Sequence, residues 1–565
     1  TAVFSGAVTT CPQLTACRSI DGLDFQSAGW TLSGCGVRTL TLGNNAIDSA
    51  GCGTNVIAST VNLVHCCNST WTIGACNTLC IWGNITGGNN LHKAGTGTLQ
   101  LNGSNNLTDM LVSFGNITVQ NCNSSTVTDD IIVANSNNDN GSLTVTGCCT
   151  YLQSNDQLLI ANGDCSIGLV SILCGASVDA NDQVDVGSDT NASGTLLVDN
   201  ANFSVTGGDA DVEIGFGSAS STGTMIVRNG ACVTINDDLV VGRTGSGTLI
   251  ISGCSNITAS QLMPAHDNNS TGTIIISGAC TVLTLICNNN SIEIVQGDST
   301  MNLNGGTIVA PEWALRNCAT SQVYFNGTTV RAARNDNNYI ENNYTMNGQS
   351  GGAIFDTNCF DITIQRTFVV DPCDTGGDFT KNGAGTLTLT GACSTYCGDT
   401  IINAGTLVLS CGGDVTASDD LLVAASAGQT ATAIITGCGT TYQADNHDGL
   451  GSNGQAMGIG AAAGSSGTLH ITNGAVVDSD GQVNIGACGG DGYLLIDNAT
   501  LTITDGDADF ETSFNSACSC STVVVQNCGQ LNACDDIIIG RDGNGTLLIQ
   551  SGADVQSDDL LLAFD

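Results

Sequence analysis

Pairs of adjacent aspartates recur along the chain and offer its densest sets of metal-ligating oxygen atoms. The pairs are Asp129-Asp130, Asp237-Asp238, Asp419-Asp420, Asp535-Asp536 and Asp558-Asp559. Ca²⁺ takes about six to eight oxygen ligands, so pairs stacked on successive repeats could form calcium sites. Aspartate also stabilises turns through its own backbone, and the pairs lack the glycine-rich nonapeptide of calcium-binding solenoids. We therefore favour a structural turn role, expect no resident cofactor, and keep calcium as an alternative.

A second group of candidate ligands is rich in sulfur. His65, Cys66 and Cys67 are followed by Cys76 and Cys80, and thiolate and imidazole groups of this kind bind zinc. A cluster of disulfides near the N-terminus explains the same residues. We favour the disulfides, because no two of the five histidines lie at a metal-ligand spacing. The sequence therefore assigns no metal, cofactor-binding or catalytic residue.

Enzyme chemistry has few candidate residues. A polysaccharide lyase built on a parallel β-helix needs clustered basic groups to bind substrate carboxylates and to abstract a proton. Here the 11 basic residues, among them Lys93 and Lys381 as the two lysines, are spread over the whole chain. Glycine-rich pieces such as Gly215-Phe216-Gly217-Ser218 belong to repeat turns and not to phosphate loops. We predict a protein without enzymatic activity and keep a polysaccharide-active enzyme as a distant alternative.

The composition indicates strands and turns as the elements that position these residues. The chain has 565 residues, of which 73 are glycine and 4 are proline, and charged residues make up 11%. A chain so poor in Glu, Lys and Arg has little surface helix, because those residues favour helix whereas Asp, Asn, Ser and Gly favour turns. The hydrophobic content of 41% and the mean hydropathy of +0.16 exclude a disordered chain.

Charge and cysteine content restrict the partners and the compartment. The net charge of −40 argues against nucleic acid and against anionic membrane surfaces as partners. No apolar window is long enough to predict a membrane-spanning helix. The 29 cysteines indicate an oxidising, extracellular location, and their odd number leaves at least one without a partner in the chain. The first residue, a threonine, suggests a processed product.

Two scales of repetition run through the chain. A strand phrase, Gly-Thr-Leu or a near variant, recurs at intervals of mostly 20 to 29 residues, for example from Gly194, Gly223, Gly247 and Gly272. The stretch from Gly194 also matches the stretch from Gly492, an offset of 298 residues, whereas the offset upstream is 288. The second copy therefore contains an insertion, which we place near residues 445–458.

Within one repeat the chain reads as short strands joined by turns. From Ala231 to Ser252, apolar residues alternate with polar ones, and glycine or aspartate marks the turns. The inward residues are Val233, Ile235, Leu239, Val241, Leu249 and Ile251. Short strands without intervening helix predict an all-β fold, either a β-solenoid or a β-sandwich, and the near-constant period of about 24 residues favours a β-solenoid of roughly 23 coils. We divide it into an N-terminal region 1–93, a repeat array 94–286, a connecting segment 287–380 and a second array 381–565.

The sequence resembles repeats of bacterial surface proteins. Residues 382–409, NGAGTLTLTGACSTYCGDTIINAGTLVL, are similar to the autotransporter-associated β-strand repeat. The Gly-Thr-Leu units with Asp-Asp-Leu-Val-Val-Gly resemble repeats shared by autotransporter passengers and surface proteins with a PEP-type sorting signal. The resemblance implies a right-handed parallel β-helix that is exported to the bacterial cell surface.

Cysteines depart from that repeat pattern, because they replace its usual Gly, Ser or Asn. Several close a strand at equivalent places: Cys232, Cys254, Cys280, Cys393 and Cys438. Turns of a solenoid are about 4.8 Å apart, so cysteines on adjacent turns come within reach of a disulfide. A ladder of disulfides would leave only a few free thiols. The alternative is that these cysteines are small, unpaired turn residues.

Some strands are apolar on both faces, which predicts self-association. The outward residues Val240, Ile250, Ile275, Ile538 and Leu548 would form an exposed apolar stripe, and such stripes mark contact surfaces. Residues 560–565, Leu-Leu-Leu-Ala-Phe-Asp, look like an uncapped end of the solenoid. The sequence thus favours a subunit of an extracellular fibre that assembles end to end and laterally. The alternative is an adhesin stalk that binds a glycan or a partner surface.

Overall fold

The structure, a computed structural model, describes residues 1–8, 10–208, 210–315, 321–340, 344–365, 368–370, 377–391, 394–396, 398–410, 412, 414–445, 455–505 and 508–562. Within these residues the secondary structure is entirely β. Parallel strands stack as a β-solenoid of about 21 turns, close to the 23 predicted, which confirms the all-β solenoid. No helix long and apolar enough to cross a membrane occurs in the described part of the chain.

The chain forms two compact units. The first contains Thr1–Ile286 and Ile292–Ser299, and the second contains Cys287–Ser291, Thr300–Leu315 and the described residues from 321 onward. The strand Asp298–Asn304 includes residues of both. In each unit a turn consists of three short strands, which we call the first, second and third strand. The four-segment division made from the sequence stays a prediction.

In the first unit, equivalent strands of successive turns pair in parallel. The first strands are Ala2–Phe4, Leu23–Phe25, Ile47–Ser49, Ser69–Ile73, Leu91–Ala94, Met110–Val112, Ile131–Val133, Leu158–Ile160, Val184–Val186, Val212–Ile214, Asp238–Val241, Gln261–Pro264 and Ile292–Ile294. The second strands are Gln13–Leu14, Thr31–Gly34, Gly53–Ile57, Asn77–Ile81, Thr98–Leu101, Phe114–Val119, Asn140–Thr146, Ile167–Leu173, Ser193–Asp199, Thr222–Arg228, Ser246–Ile251 and Thr271–Ser277. The third strands are Arg18–Ile20, Arg38–Leu42, Val61–His65, Ile85–Thr86, Asn106–Leu107, Ser124–Val127, Tyr151–Ser154, Ser177–Ala180, Asn202–Val205, Cys232–Ile235, Asn256–Ala259 and Val282–Leu285.

The second unit repeats this arrangement. Its first strands are Trp313–Leu315, Asp336–Ile340, Ile362–Ile364, Thr386–Leu389, Gly405–Leu409, Thr430–Thr436, Ser466–Thr472, Asp491–Asp497, Cys520–Gln526 and Asn544–Ile549. Its second strands are Ser321–Phe325, Tyr344–Gly348, Phe368–Val370, Ser394–Thr395, Asp414–Ser418, Thr441–Asp445, Val476–Asp480, Thr500–Ile503, Gln530–Ala533 and Asp554–Gln556. Its third strands are Thr307–Ala310, Thr328–Ala332, Ala353–Asp356, Phe379–Asn382, Thr400–Ile402, Leu421–Val423, Gln455–Ile459, Gln482–Ala487, Phe510–Phe514, Ile537–Ile539 and Leu560–Leu562.

The Gly-Thr-Leu phrases define the register of the strands. In the first unit, Gly194 pairs with Gly223, which pairs with Gly247. A Cβ atom on Gly194 would collide with the backbone nitrogen of Gly187, whose φ of 76° is itself a left-handed conformation that favours glycine. The phrase therefore recurs because the chain turns too tightly at this corner for any side chain.

The core lies inside each stack of turns. All six inward residues predicted from the repeat 231–252 are buried, with at most 2% of each residue exposed. They stack on the equivalent apolar residues of adjacent turns; Leu249, for example, lies between Met225 and Ile274. Burial of apolar surface in such continuous columns is the main source of stability in a solenoid.

The predicted exposed stripe is only partly present. Val240 and Ile538 are 1% and 5% exposed, so their assignment to the surface was wrong. Val240 is the register neighbour of the buried Glu213, and Ile538 is that of the buried Glu511. Each glutamate forms an ion pair with an arginine from the loop that follows the strand of Val240 or Ile538. Each of these two outward residues therefore lies beside a buried ion pair and not at the surface. Ile250 and Ile275 are partly exposed, and Leu548 is 45% exposed.

Cysteines of adjacent turns form three disulfides. They are Cys52–Cys76, Cys122–Cys149 and Cys254–Cys280, each spanning 24 to 27 residues. The predicted pairing of adjacent turns is therefore confirmed at Cys254–Cys280. Cys232 and Cys438 carry free thiols. Cys232 has Asn202 and Asn256 as its register neighbours, so no cysteine lies opposite it. Cys393 and most of the predicted insertion at 445–458 lie outside the described residues.

Thiol titration will measure how far the ladder extends. Because most described cysteines are free, we expect more than half of the 29 thiols to react in denatured, unreduced protein. This replaces the expectation of only a few free thiols, since a partner in register exists at few positions. A matched sample that is reduced first should expose every cysteine. If only a few thiols react in the unreduced sample, the result would support a continuous ladder of disulfides instead.

Candidate functional site

Four of the five predicted aspartate pairs acquire a third aspartate from a neighbouring turn. We call these groups the acidic turn clusters, and within each cluster the carboxylate oxygens lie within 4.8 Å of one another. The clusters are Asp129, Asp130 and Asp156; Asp211, Asp237 and Asp238; Asp399, Asp419 and Asp420; and Asp509, Asp535 and Asp536. Among the described residues, the pair Asp558-Asp559 is not part of such a group.

Carboxylates of the acidic turn clusters accept hydrogen bonds from backbone N–H groups of the next turn. The N–H of Asp238 donates to Asp211 Oδ1 at 3.0 Å, and the N–H of Asp420 donates to Asp399 Oδ1 at 3.1 Å. Gln157 donates in the same way to Asp130 Oδ1 at 3.2 Å. These bonds give the aspartates the structural turn role that the sequence favoured. The oxygen-only chemistry would also suit a hard cation such as Ca²⁺.

One cluster lies in a strongly negative environment. Burial, together with the nearby charges of Asp211, Asp237 and Glu293, raises the pKa of Asp238 to about 7 against the opposing effect of Arg243. Near neutral pH the Asp238 carboxyl group is therefore partly protonated, so a proton partly relieves the repulsion between these acids.

Beside this cluster, two buried carboxyl groups face each other across neighbouring strands. Asp185 and Glu213 are in register and are 6% and 3% exposed. Gln183 Nε2 donates to Asp185 Oδ1 at 2.7 Å and to Glu213 Oε2 at 2.9 Å, and Arg243 Nη1 donates to Glu213 Oε1. Burial raises the pKa of Asp185 to about 6 and that of Glu213 to about 7.

The duplicated half of the chain repeats this network with one charge removed. Arg541 donates to Glu511 Oε1, and Asn484 is the register neighbour of Glu511. By sequence alignment Asn484 stands where the first copy has Asp185. The sequence analysis missed these buried acids. The signal was present, because Glu213 and Glu511 are two of only five glutamates and recur with Arg243 and Arg541 at the 298-residue offset.

Substituting Asp185→Asn should stabilise the first unit at pH 7.5 by about 1–2 kcal/mol. The pKa of Asp185 is raised in the folded state, so its ionisation destabilises the fold above pH 6 and this cost disappears as the pH falls to about 4. The variant should therefore show a weaker rise in stability from pH 7.5 to pH 5 in urea unfolding. Asp164→Asn, at a partly exposed carboxyl, is the control with the same charge change. An unchanged pH profile in Asp185→Asn would contradict the assignment.

The predicted sulfur-rich group is not assembled as a metal site. Cys76 is bonded to Cys52, Cys80 Sγ donates to Gln100 Oε1 at 2.9 Å, and Cys66 Sγ donates to the carbonyl of Leu42 at 3.0 Å. His65 is buried against Trp71, with ring centroids 5.0 Å apart, and burial lowers its pKa to about 4. In the described ranges, no closely spaced group of potential metal ligands contains a cysteine or histidine. Of the predicted cluster of disulfides, the described residues of this group form one bond, Cys52–Cys76.

Arginines pair with acids on separate turns. Besides the two buried pairs, Arg228 contacts Asp199 at 2.8 Å, Arg331 contacts Asp356 at 2.8 Å, and Arg334 contacts Asp336 at 2.6 Å. These guanidinium groups are therefore already neutralised by neighbouring carboxylates. They do not converge on one cleft as the basic groups of a polysaccharide lyase would.

The two lysines of the chain occupy equivalent, fully buried positions. Lys93 Nζ donates to the carbonyls of Ala94, Gly95 and Phe114 at 2.6–3.0 Å. Lys381 Nζ donates to the carbonyls of Asn382, Gly383 and Ala404 at 2.8–2.9 Å and to Thr357 Oγ1 at 3.0 Å. Each ammonium group thus joins the carbonyls of adjacent turns. Burial lowers the pKa of both lysines to about 8, so they stay largely charged at pH 7.

Comparison with known families places these lysines in a recognised repeat. Residues 91–109 and 379–409 match the passenger-associated-transport-repeat family, and each match contains one buried lysine. The second match includes the segment whose resemblance to autotransporter repeats was noted from the sequence. That resemblance is therefore confirmed: the chain carries repeats of the autotransporter passenger type.

Part of the chain is also similar in sequence to a curated autotransporter protein. The chain is 27% identical over 236 residues, or 40% of its length, to the adhesin BmaC autotransporter of Brucella suis biovar 1 (strain 1330). The aligned part covers 6% of that protein. No solved structure matches the chain. The similarity to an autotransporter passenger indicates a secreted, cell-surface or extracellular protein, as predicted.

Proposed function

We propose that this chain is an adhesin-type passenger segment, a solenoid that presents binding surfaces outside the bacterial cell. The observation that carries the proposal is the similarity of 236 residues to an autotransporter adhesin, in a chain built of stacked parallel turns. Within each unit, in-register ladders and buried apolar columns hold successive turns together. Such a stack offers a long, regular surface rather than a single cleft.

The surface chemistry restricts the class of partner. A net charge of −40 disfavours nucleic acid and anionic membranes and favours a neutral glycan or a protein surface. Five arginines of the described residues, on separate turns, are paired with acids, which weighs against a polysaccharide-active enzyme. We therefore propose a role in binding, without catalysis.

A second candidate function is supported by a separate observation. Partly exposed aliphatic residues, including Leu197, Ile226, Ile250 and Ile275, line one side of the first unit. A subunit of an extracellular fibre would associate with further copies through such a surface. We therefore retain the fibre hypothesis in the form of lateral self-association. This proposal does not depend on the adhesin function.

Surface display tests the adhesin proposal. Non-adherent cells that display the full chain should attach to glycan-coated or protein-coated surfaces several-fold more than cells that carry the display anchor alone. Attachment should fall when purified chain is added as a competitor, because it occupies the same partner. Equal attachment of both cell types to every surface tested would refute the adhesin function and leave the fibre subunit as the remaining candidate.

A further inference from the structure

On one outward surface of the first unit, three adjacent columns of side chains contain no charged residue, and the nearest charges are the paired Asp199 and Arg228 at its edge. It is formed by six second strands, Asn140–Thr146, Ile167–Leu173, Ser193–Asp199, Thr222–Arg228, Ser246–Ile251 and Thr271–Ser277. We call it the uncharged face, and it consists of three columns of outward residues. The columns are Asn140, Ile167, Ser193, Thr222, Ser246 and Thr271; Ser142, Leu169, Thr195, Thr224, Thr248 and Thr273; and Thr144, Ser171, Leu197, Ile226, Ile250 and Ile275.

The residues of the uncharged face repeat in a regular array. Thr195, Thr224, Thr248 and Thr273 are successive register partners, so their side chains follow one another at the spacing of neighbouring strands, about 4.8 Å. The aliphatic column beside them has the same spacing. A column of threonine hydroxyl groups therefore runs parallel to a column of aliphatic side chains over four turns.

The three columns of the uncharged face carry no charge in a chain with 51 acidic and 11 basic residues. Acids gather at the turns, where the acidic turn clusters lie. At the edge of the face, Asp199 and Arg228 neutralise each other across adjacent strands at 2.8 Å. Two copies of a chain with a net charge of −40 repel each other on most approaches. This face is where they can meet without placing like charges in contact.

The size of the uncharged face suits a specific interface of modest affinity. Six strands about 4.8 Å apart, each contributing about five residues at about 3.3 Å, cover roughly 480 Å² per copy. Two copies would bury about 950 Å² in total, which is in the range of weak, transient protein interfaces. The three columns contain no aromatic side chain that could stack on a sugar ring, which disfavours a glycan as the occupant.

We propose that the uncharged face packs against the same face of a second copy of this chain. Two flat sheets with the same strand spacing can interdigitate their columns at a separation of about 10 Å, as in the dry interfaces of stacked β-sheets. The contact uses one patch on both partners, which is the geometry of a closed, two-fold symmetric pair. The inference rests on the second candidate function proposed above, lateral self-association through these aliphatic residues, and specifies it as a closed pair in place of an open fibre contact. Surface display would supply the high local concentration that such pairing needs.

The test compares two pairs of charge insertions in the same two turns. Ile226→Asp/Ile250→Asp places two carboxylates in the aliphatic column of the uncharged face. Thr234→Asp/Thr258→Asp places two on the third strands, where Thr234 and Thr258 are also register partners and partly or fully exposed. Sedimentation equilibrium of the full chain, with free thiols alkylated, should show dimers for the parent and for the threonine variant. Burying two unpaired charges should weaken the dimer of the isoleucine variant at least about 100-fold.

Circular dichroism should show the same β spectrum for all three proteins. If Ile226→Asp/Ile250→Asp loses that spectrum, Ile226→Ser/Ile250→Ser replaces it, with about tenfold weakening expected from lost apolar area. Raising the salt concentration should strengthen the parent dimer, because salt screens the repulsion between the acidic chains. The proposal is overturned if the parent protein stays monomeric at all concentrations, or if both variants dissociate equally. It is also overturned if a monomer binds a neutral glycan on the uncharged face. Attachment by cells that display a monomeric chain would refute the pairing and leave the adhesin function standing.

Discussion

Substituting Arg541→Met should destabilise the second unit by about 3–5 kcal/mol, because it leaves a buried carboxylate without its counter-charge. Glu511 is fully buried, and Arg541 Nη1 is the charged donor to its Oε1 atom. Urea unfolding monitored by circular dichroism will measure the loss of stability. The loss should be smaller at pH 5 than at pH 8, because protonation can neutralise the stranded glutamate.

An exposed ion pair provides the matched control. Arg228→Met breaks the contact with Asp199, but Arg228 is 46% exposed, so the cost should stay below about 1 kcal/mol. The double variant Glu511→Leu/Arg541→Met removes both charges and should recover most of the stability lost in Arg541→Met. Equal effects of Arg541→Met and Arg228→Met would show that Glu511 is not an uncompensated buried charge.

Substituting Lys93→Met should cost about 2–4 kcal/mol of unfolding free energy. Methionine fills a similar volume but cannot donate to the carbonyls of Ala94, Gly95 and Phe114, which would lose the charged donor that they share in this partly buried place. Lys381→Met should have a comparable effect in the second unit, because Lys381 makes the equivalent bonds. The measurement is the shift of the urea midpoint of each variant.

Gln100→Met controls for the change of side chain near the first lysine. Gln100 lies on the neighbouring strand and is only partly buried, and its replacement removes the acceptor of the weak Cys80 Sγ–H donor but no charged group, so it should shift the midpoint much less than Lys93→Met does. Hydrogen exchange should locate the damage of Lys93→Met in the turns that contain Gly95 and Phe114. Wild-type stability in both lysine variants would mean that water replaces the ammonium group at no cost.

The fold was predictable because its signals are local. Alternation in residues 231–252 identified the inward residues correctly, and turn chemistry at Asp237 and Gly242 marked the ends of the strands. The approximate number of turns followed from the period. Each of these features depends on a few neighbouring residues, and so it can be read from a single sequence.

The chemistry of the outward positions was less predictable, because it depends on neighbouring turns. Val240 was expected at the surface, but it lies beside the buried ion pair that Arg243 makes with Glu213 of the preceding turn. The alternation of the strand cannot show which groups of a neighbouring turn lie beside an outward residue. Buried charges such as Lys93 were missed for a related reason, since one of its three carbonyl partners, Phe114, belongs to the next turn.

Cysteine pairing depended on register in the same way. Cys254 and Cys280 lie opposite each other on adjacent turns, whereas Cys232 faces asparagines. Loop lengths that differ by one or two residues decide which cysteines come together. The sequence pattern therefore predicted disulfides between cysteines of adjacent turns, but it identified only some of the cysteines that pair.

The two buried lysines also determine how the folded chain responds to reagents. Neither lysine side chain is exposed, so amine-directed crosslinkers, dyes and biotinylation reagents find no lysine to modify on the native protein. A protease that cleaves only after lysine is excluded from both of its sites until the surrounding turns open. Lysine labelling would therefore act as a clock for local unfolding, with Lys93 reporting on one unit and Lys381 on the other.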